Sequence, residues 1–358
     1  MIGQASGEAV WRGCEIEGRS EWRFELSKEH VAEALAALAG VDDLDLHEIT
    51  TKNFVLPTLG PILESFLADL LDGRGFVLIR GVPVEGLPER RLKALYWGIG
   101  QYIGIPIPQN DAAEYLVHIR DQGLDFANPE VRGYQTSAKL DYHSDSSDVV
   151  GLLCVRPAKD GGISTLVSAA AVYNEAVRRR PDLVGVFEAS WWWDRRKKDL
   201  SVSFFECRIF AVENNTLTSY YGRGHLESAS RGPDVPALTA QQIEALDLLD
   251  EITNEPAFVL NMHFRPGDIQ FLNNYKVWHA RTDYVDWPEP DRKRDLYRLW
   301  LTVRGELDLP TDFAERGITN RSAAFDQRER PMFSWSDQDD PARNSVSGSR
   351  HITRAVTS

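Results

Sequence analysis

The stretch Tyr142-His143-Ser144-Asp145-Ser146-Ser147-Asp148 carries residue types that could do chemistry. On an extended segment residues two apart share a face, so the His143 imidazole and the Asp145 carboxylate converge on one point. One neutral nitrogen and one anionic oxygen suit a divalent first-row metal. A second histidine far downstream, His279 in Asn273-Asn274-Tyr275-Lys276-Val277-Trp278-His279-Ala280-Arg281, would complete a two-histidine, one-carboxylate face. Such a face leaves three positions open and favours non-heme Fe(II), and open positions are what oxygen chemistry requires. An isolated His-x-Asp arises often by chance, so the surrounding spacing has to carry the reading.

That spacing includes two arginines, in Arg294-Asp295-Leu296-Tyr297-Arg298-Leu299-Trp300-Leu301-Thr302-Val303. On a strand Arg294, Leu296, Arg298 and Trp300 share one face, and Leu299, Leu301 and Val303 the other. An arginine facing inward among apolar residues is costly unless it meets an anion, and its planar fork suits a carboxylate. The competing reading is a structural salt bridge with one of the chain's many acidic residues.

These segments together resemble the taurine dioxygenase-like (TauD/TfdA) group of Fe(II)- and 2-oxoglutarate-dependent oxygenases. The resemblance runs in order through Gly73 to Gly81, His143-Ser144-Asp145, Val149 to Cys154, Gly161-Gly162-Ile163-Ser164-Thr165, Pro266-Gly267-Asp268, Asn273 to Arg281 and Arg294 to Leu301. It covers roughly residues 70 to 305, and the order and spacing are more specific than any single piece. It implies that His143, Asp145 and His279 hold Fe(II), that Arg298 binds the distal carboxylate of 2-oxoglutarate, and that Arg294 lies near its other carboxylate. The family usually places a threonine after the paired glycines to hydrogen-bond the co-substrate, which makes Thr165 the candidate. One extra residue separates it from the glycines here, leaving Ser164 open. Halogenating relatives replace the metal-binding carboxylate with a small residue; this chain keeps Asp145, which argues for oxygenation.

The implied reaction consumes O2 and 2-oxoglutarate, releases succinate and CO2, and oxidises a substrate. Hydroxylation is the default outcome, with desaturation or ring closure open. The implied substrate is a small polar metabolite such as an amino acid derivative or a natural-product intermediate. The implied fold is mainly β with flanking helices, a jelly-roll or double-stranded β-helix of the cupin-like, clavaminate synthase-like kind.

Composition frames these expectations. The chain has 358 residues, 42% of them hydrophobic, with 10 tryptophans, enough for one large core. A formal net charge of -14, with no basic stripe, argues against nucleic acid or an anionic membrane as partner. Three unevenly spaced cysteines, Cys14, Cys154 and Cys207, fit a reducing cytoplasm better than a disulfide framework. No signal peptide or apolar span of about 18 residues is legible, and a homo-oligomer is left open. Residues 1–316 read as a single oxygenase domain, with a core from about 70 to 305 and an N-terminal arm and helices over 1–69. Residues 317–358 read as a polar tail, partly disordered.

The elements that must position the site follow from local pattern. Ser27 caps a helix ended by Gly40, and another helix is expected over Leu59 to Leu71, before a strand at Phe76 to Ile79. A helix follows Leu87 as far as Tyr102, with an apolar stripe at Leu92, Leu95, Tyr96 and Ile99. Residues 106–140 are irregular, which puts Tyr134 and Lys139 just ahead of the metal segment as candidate pocket residues. Val149 to Val155 reads as a core strand, and Ser168 caps a helix to about Arg179. In Trp191-Trp192-Trp193-Asp194-Arg195-Arg196-Lys197-Lys198 three large aromatics cannot share one side, so Trp191 and Trp193 enter as candidate substrate contacts. A hairpin is expected from Glu206 to Tyr221, with Ile209 to Val212 and Leu217 to Tyr221 about a turn at Asn214-Asn215. Thr239 opens a helix whose buried stripe would be Ile243, Leu246, Leu249 and Ile252. Phe258 to Phe264 and Ile269 to Leu272 are expected to pair as a second hairpin about Pro266-Gly267-Asp268. His225 and His263 lack partners at ligand spacing and read as structural or exposed. Two rival functions are a cupin-like protein that binds metal or ligand without catalysis, and a protein-modifying oxygenase recruiting a basic polypeptide.

Overall fold

Strand pairing divides the extended segments between two principal sheets in this computed structural model, which describes residues 4–110, 112–124, 131–197, 199–213, 216–304 and 307–315. The larger sheet runs in the order Arg23–Glu25, Phe76–Arg80, Ile269–Asn273, Val149–Arg156, Asp295–Thr302 and Ile105–Ile107, with Leu116–Ile119 also paired to Asp295–Thr302. The smaller one runs Leu260–Met262, Ser164–Ser168, Val277–Arg281 and Leu140–His143. Two mainly antiparallel sheets with flanking helices form the expected double-stranded β-helix.

Alternation along the central strands explains where the core sits. On Asp295–Thr302 the side chains of Tyr297, Leu299 and Leu301 join Leu59, Leu63, Leu92 and Leu95 of the covering helices. The opposite face turns to the space between the sheets, where Val150 and Leu272 of the larger sheet pack with Leu166 and Val277 of the smaller one. A strand buried on both faces thus carries its outward residues to the helices and its inward residues to the cavity. The helix at Leu59–Leu71 buries Leu59, Leu63, Phe66 and Leu70 at spacings of four, three and four. Each such side chain contributes roughly 1.5–3 kcal/mol on burial.

Several local expectations hold. Ser27 and Thr239 both cap their helices by accepting from the backbone N–H three residues on, and Ser168 caps Ala169–Arg179 in the same way.

Two do not. Leu260–Met262 and Ile269–Asn273 are not a hairpin: the first pairs with Ser164–Ser168 in the smaller sheet and the second lies in the larger sheet. The turn between them, with Gly267 at φ 85, carries the chain from one sheet to the other, as jelly-roll closure requires. Ile243, placed in a buried stripe, is 44% exposed, while Leu246, Leu249 and Ile252 are buried. The turn expected at Asn214-Asn215 and the tail 317–358 lie outside the described residues. Among the described residues no helix is long and apolar enough to cross a membrane.

Candidate active site

His279 and His143 face each other directly across the antiparallel pair formed by Val277–Arg281 and Leu140–His143. Their rings lie 4.3 Å apart. An irregularity follows at once, between His279 and Arg281, where one extra residue is accommodated on the Leu140–His143 side. Such a bulge re-aims side chains beside a site. Asp145 enters from the turn just after His143, and ligand atoms of His143, Asp145 and His279 all lie within 4.8 Å of one another.

Each donor is in a state fit to ligate. His143 donates from Nδ1 to the Asp141 carbonyl at 2.8 Å, which leaves Nε2 as the free lone pair. His279 presents Nε2 at 3.8 Å from Asp145 Oδ2. Burial, reinforced by the neighbouring His143, pushes the His279 imidazole down to about 3, so it is neutral at physiological pH. Burial would raise the Asp145 carboxyl, but Arg298, His279 and His143 outweigh it and hold it below its ordinary value. Two imidazoles and one carboxylate form the facial donor set that suits Fe(II).

A second layer fixes the Asp145 loop. The Asn274 Oδ1 accepts from the Asp145 backbone N–H at 2.9 Å, and its Nδ2 donates to the Ser147 carbonyl and Oγ at 3.1 and 3.0 Å. Asp148, 1% exposed, accepts from Tyr275 Oη at 2.7 Å, Thr302 Oγ1 at 2.7 Å and the Val303 N–H at 3.0 Å. The Ser144 N–H donates to the Tyr221 carbonyl at 2.8 Å. These anchors tie the ligand loop to both sheets, the kind of support metal ligands need. Asn274 and Asp148 were visible in the motifs, but nothing local in the sequence pairs them with these partners.

The two arginines occupy different depths. Arg298 faces the metal site: its Nη1 lies 3.2 Å from Asp145 Oδ1, and its Nε donates to Gln109 Oε1 at 2.7 Å. Tyr134 and Trp300 place their rings 5.2 and 4.9 Å from its guanidinium carbon. Arg294, 3% exposed, precedes the strand and donates from Nη1 to the Ile119 carbonyl at 3.3 Å. Arg281, two residues beyond His279, is buried too and leaves Nε and Nη1 without hydrogen-bond partners. The guanidinium carbons of Arg281 and Arg294 lie 4.8 and 5.0 Å from the Tyr284 ring. Burial lowers the pKa of both guanidinium groups, and the charge of Arg294 lowers that of Arg281 further. Two buried cations, with spare donors on Arg281, suit an anion.

The paired glycines make room for it. Gly161 and Gly162 have φ of 71 and 65, and a Cβ on Gly162 would sit 3.1 Å from Arg294 Nε and 3.3 Å from Tyr284 Cβ.

Strand register separates Thr165 from Ser164. Ser164 pairs with Arg281 and Thr165 with Ala280, so Ser164 shares the inner face with His279 and Arg281. Thr165 turns to the outer face, beside Tyr142. The expectation for Thr165 is corrected on this ground: a one-residue step on a strand reverses the side chain. Ser164 Oγ lies 3.3 Å from Gln270 Nε2 inside the cavity.

Among the candidate substrate residues only Tyr134 borders the site, through Arg298. Lys139 is exposed and pairs with Asp141 at 3.2 Å, a solvated pair of little weight. Trp191 and Trp193 are 1% exposed core residues, whose indole N–H groups donate to the Val186 and Cys207 carbonyls at 2.9 Å each. They are corrected to core packing; Trp192 is the half-buried member of the run. His225, expected to be structural or exposed, packs over Gly222, which forms a β-bridge to His143. His263 is exposed.

Comparison with known proteins bears on the family and the fold. The family described as taurine catabolism dioxygenase TauD, TfdA family matches residues 41–300. The FR-33289 synthase of Streptomyces rubellomurinus is 30% identical over 332 residues, 89% of this chain and 96% of that protein. The taurine hydroxylase-like protein SAT17 of Stachybotrys chartarum is 30% identical over 316 residues, 84% of this chain and 80% of that protein. In fold, the chain is similar to an asparagine oxygenase solved with Fe(II), 2S,3S-3-hydroxyasparagine and succinate. The TM-score is 0.62 at 16% identity, over 78% of this chain and 93% of that one.

Proposed function

The chain belongs to the taurine catabolism dioxygenase TauD, TfdA family and is an Fe(II)- and 2-oxoglutarate-dependent oxygenase; from that premise we propose that His143, Asp145 and His279 hold its iron and that it oxidises a small polar metabolite. The observation that carries the reading is the convergence of those three donors within 4.8 Å. When bound, the metal and co-substrate supply the oxidising chemistry, turning 2-oxoglutarate and O2 into succinate and CO2 as the substrate is oxidised.

The protein's own residues bind and orient. 2-Oxoglutarate is a dicarboxylate with one end at the metal and the other a few bonds away. A guanidinium 3.2 Å from a metal-ligating carboxylate stands at the near end. Arg294 stands at the far end, buried beside the unsatisfied Arg281 donors and closely packed on Gly162. We therefore assign the distal carboxylate to Arg294, with Arg281 beside it, and the near side to Arg298, exchanging the roles that the sequence resemblance implied. Ser164 replaces Thr165 as the hydroxyl on that face. The cation–π contacts of Tyr134 and Trp300 hold Arg298 in place and keep water from its apolar side.

A metabolite substrate, amino acid derivative or natural-product intermediate, is supported by the names of the similar proteins, an FR-33289 synthase and an asparagine oxygenase. The three free cysteines, one of them exposed, support a cytoplasmic setting.

The test is succinate formation from 2-oxoglutarate by anaerobically prepared protein given Fe(II) and then air. We expect slow turnover without added substrate, abolished in His143→Ala and Asp145→Ala with folding intact. Arg294→Ala should raise the KM for 2-oxoglutarate more than Arg298→Ala does. Full turnover in both ligand variants would overturn the metal assignment, and the opposite order of the arginine effects would restore Arg298 to the distal carboxylate.

A further inference from the structure

One polar side chain in the space between the sheets has no role in the site described so far. Ile269 and Phe271 turn to the covering helices, while Leu272 joins the apolar cluster between the sheets, so alternation puts Gln270 on the inner face with Leu272. Its cross-strand partners in the larger sheet are Leu78 and Leu152, and Leu152 pairs in turn with Arg298. Directly opposed residues share a face. Gln270 and Arg298 therefore stand in one inner row, with a single leucine between them.

An amide at this place is costly. Gln270 is 0% exposed, and a buried amide lowers stability unless its groups are well bonded. Its partners are weak ones. Nε2 donates to Met262 Sδ at 2.9 Å and lies 3.3 Å from Ser164 Oγ, and Oε1 lies 3.4 Å from the same hydroxyl oxygen. Among the described residues the amide makes no hydrogen bond to the backbone. Leucine or methionine would fill the same place without that cost.

Those partners also give the amide a direction. A thioether sulfur accepts and cannot donate, which keeps Nε2 on the Met262 side and leaves its second hydrogen for Ser164. A hydroxyl that accepts from Nε2 still has its own hydrogen to give. In the smaller sheet Ser164 pairs with Met262 on one side and Arg281 on the other, and Arg281 keeps Nε and Nη1 without partners. The Ser164 hydroxyl and a guanidinium with spare donors are thus neighbours on one face.

We propose that Gln270 is a positioning residue for the co-substrate: its amide N–H holds the Ser164 oxygen as an acceptor and so turns the Ser164 hydrogen toward the distal carboxylate of 2-oxoglutarate. The proposal rests on the co-substrate placement given above and adds the group that sets its hydroxyl. Without co-substrate, Ser164 donates back to Oε1. With a carboxylate beside Arg281, the hydroxyl rotates to that stronger, charged acceptor, and Nε2 takes up the bond to its oxygen. Gln270 itself touches no reacting atom.

The test is calorimetric titration of 2-oxoglutarate into anaerobic Fe(II)-loaded protein, with KM and kcat then read from succinate formation in air. Gln270→Met removes both amide groups while keeping an unbranched side chain, and Ser164→Ala removes the hydroxyl. Each should raise the 2-oxoglutarate Kd about tenfold, the loss of one hydrogen bond to a charged group. KM should rise in step, with kcat at saturating 2-oxoglutarate within about twofold of the parent. A residue acting through Ser164 leaves a mark that lost packing does not: the double variant should bind no more weakly than Ser164→Ala alone. Circular dichroism checks that each variant is folded, and Gln270→Leu takes the place of a methionine variant that is not. Three results overturn the role of Gln270 and leave the oxygenase reading intact, all with a parent that binds 2-oxoglutarate. They are a parental Kd in the folded Gln270 variant, a parental Kd in Ser164→Ala, or single effects that multiply in the double variant. If the parent neither binds 2-oxoglutarate nor forms succinate, the underlying reading falls and the role of Gln270 with it.

Discussion

Arg298 donates through Nη1 to both oxygens of the Asp145 carboxylate, at 3.2 and 3.4 Å. The pair is almost wholly buried, with side chains 12% and 7% exposed. A buried guanidinium thus neutralises the carboxylate that we propose as an iron ligand.

Removing that cation leaves a buried carboxylate with one partner fewer. Arg298→Met should therefore destabilise the metal-free protein by roughly 3–5 kcal/mol. A divalent metal supplies the missing positive charge, so the loss should shrink when Zn(II) or Co(II) is bound. Thermal unfolding with chelator and with metal measures both; an equal loss in the two conditions would refute the compensation.

Asn274 should matter to metal affinity without touching the metal. Asn274→Ala strands the buried Asp145 N–H and the Ser147 carbonyl, at about 1–3 kcal/mol for each unsatisfied group. Loss of such support typically weakens metal binding about 10–100-fold. Competition against a chromogenic chelator would read this, and unchanged affinity in a folded variant would remove Asn274 from the positioning layer.

Gly162→Ala combines a left-handed backbone with a Cβ 3.1 Å from Arg294 Nε. It should raise the KM for 2-oxoglutarate while leaving Fe(II) affinity near that of the parent. Weakened Fe(II) binding with an unchanged KM would contradict the placement of the co-substrate's far end beside Arg294.

Trp193 tests the core assignment. Trp193→Ala should cost about 3–5 kcal/mol in denaturant unfolding, whereas Trp193→Phe, which keeps most of the packing and the tilted ring contact with Tyr220 at 4.7 Å, should preserve substrate-free succinate formation. Little destabilisation by the alanine would return Trp193 to the list of pocket residues.

Stability should also depend on pH through His118, held between Asp295 at 3.0 Å and Glu89 at 3.1 Å. Burial lowers its pKa, but hydrogen bonds to Asp295 and Glu89 win, and the net value lies above the ordinary 6.5. A histidine whose folded value is raised contributes its stability below the unfolded value and loses it as pH rises through the folded one. His118→Asn should thus cost more near pH 6 than near pH 9, as denaturant midpoints at the two pH values would record. Equal costs would mean that the charge pair contributes nothing.

The sequence by itself determined the pieces whose information is local. Helix caps at Ser27, Ser168 and Thr239 and the two-residue alternation of Leu296 to Leu301 follow from bonds and faces within a few residues. The types of His143, Asp145 and His279 likewise limited the chemistry to a small set of metals. Tertiary structure decided what depends on partners far along the chain, such as the bond from the Asp145 N–H to Asn274 across 129 residues. Ser164 rather than Thr165 shares a face with His279 because of its register against Arg281. Met262 and Ile269 separate into two sheets because each closes a different ladder. Arg294 and Arg298, alike on one face of a strand, differ in depth because Ile119, Tyr284 and Arg281 surround one and Asp145 and Gln109 the other. Periodicity encodes which residues share a face; only long-range pairing decides what that face meets.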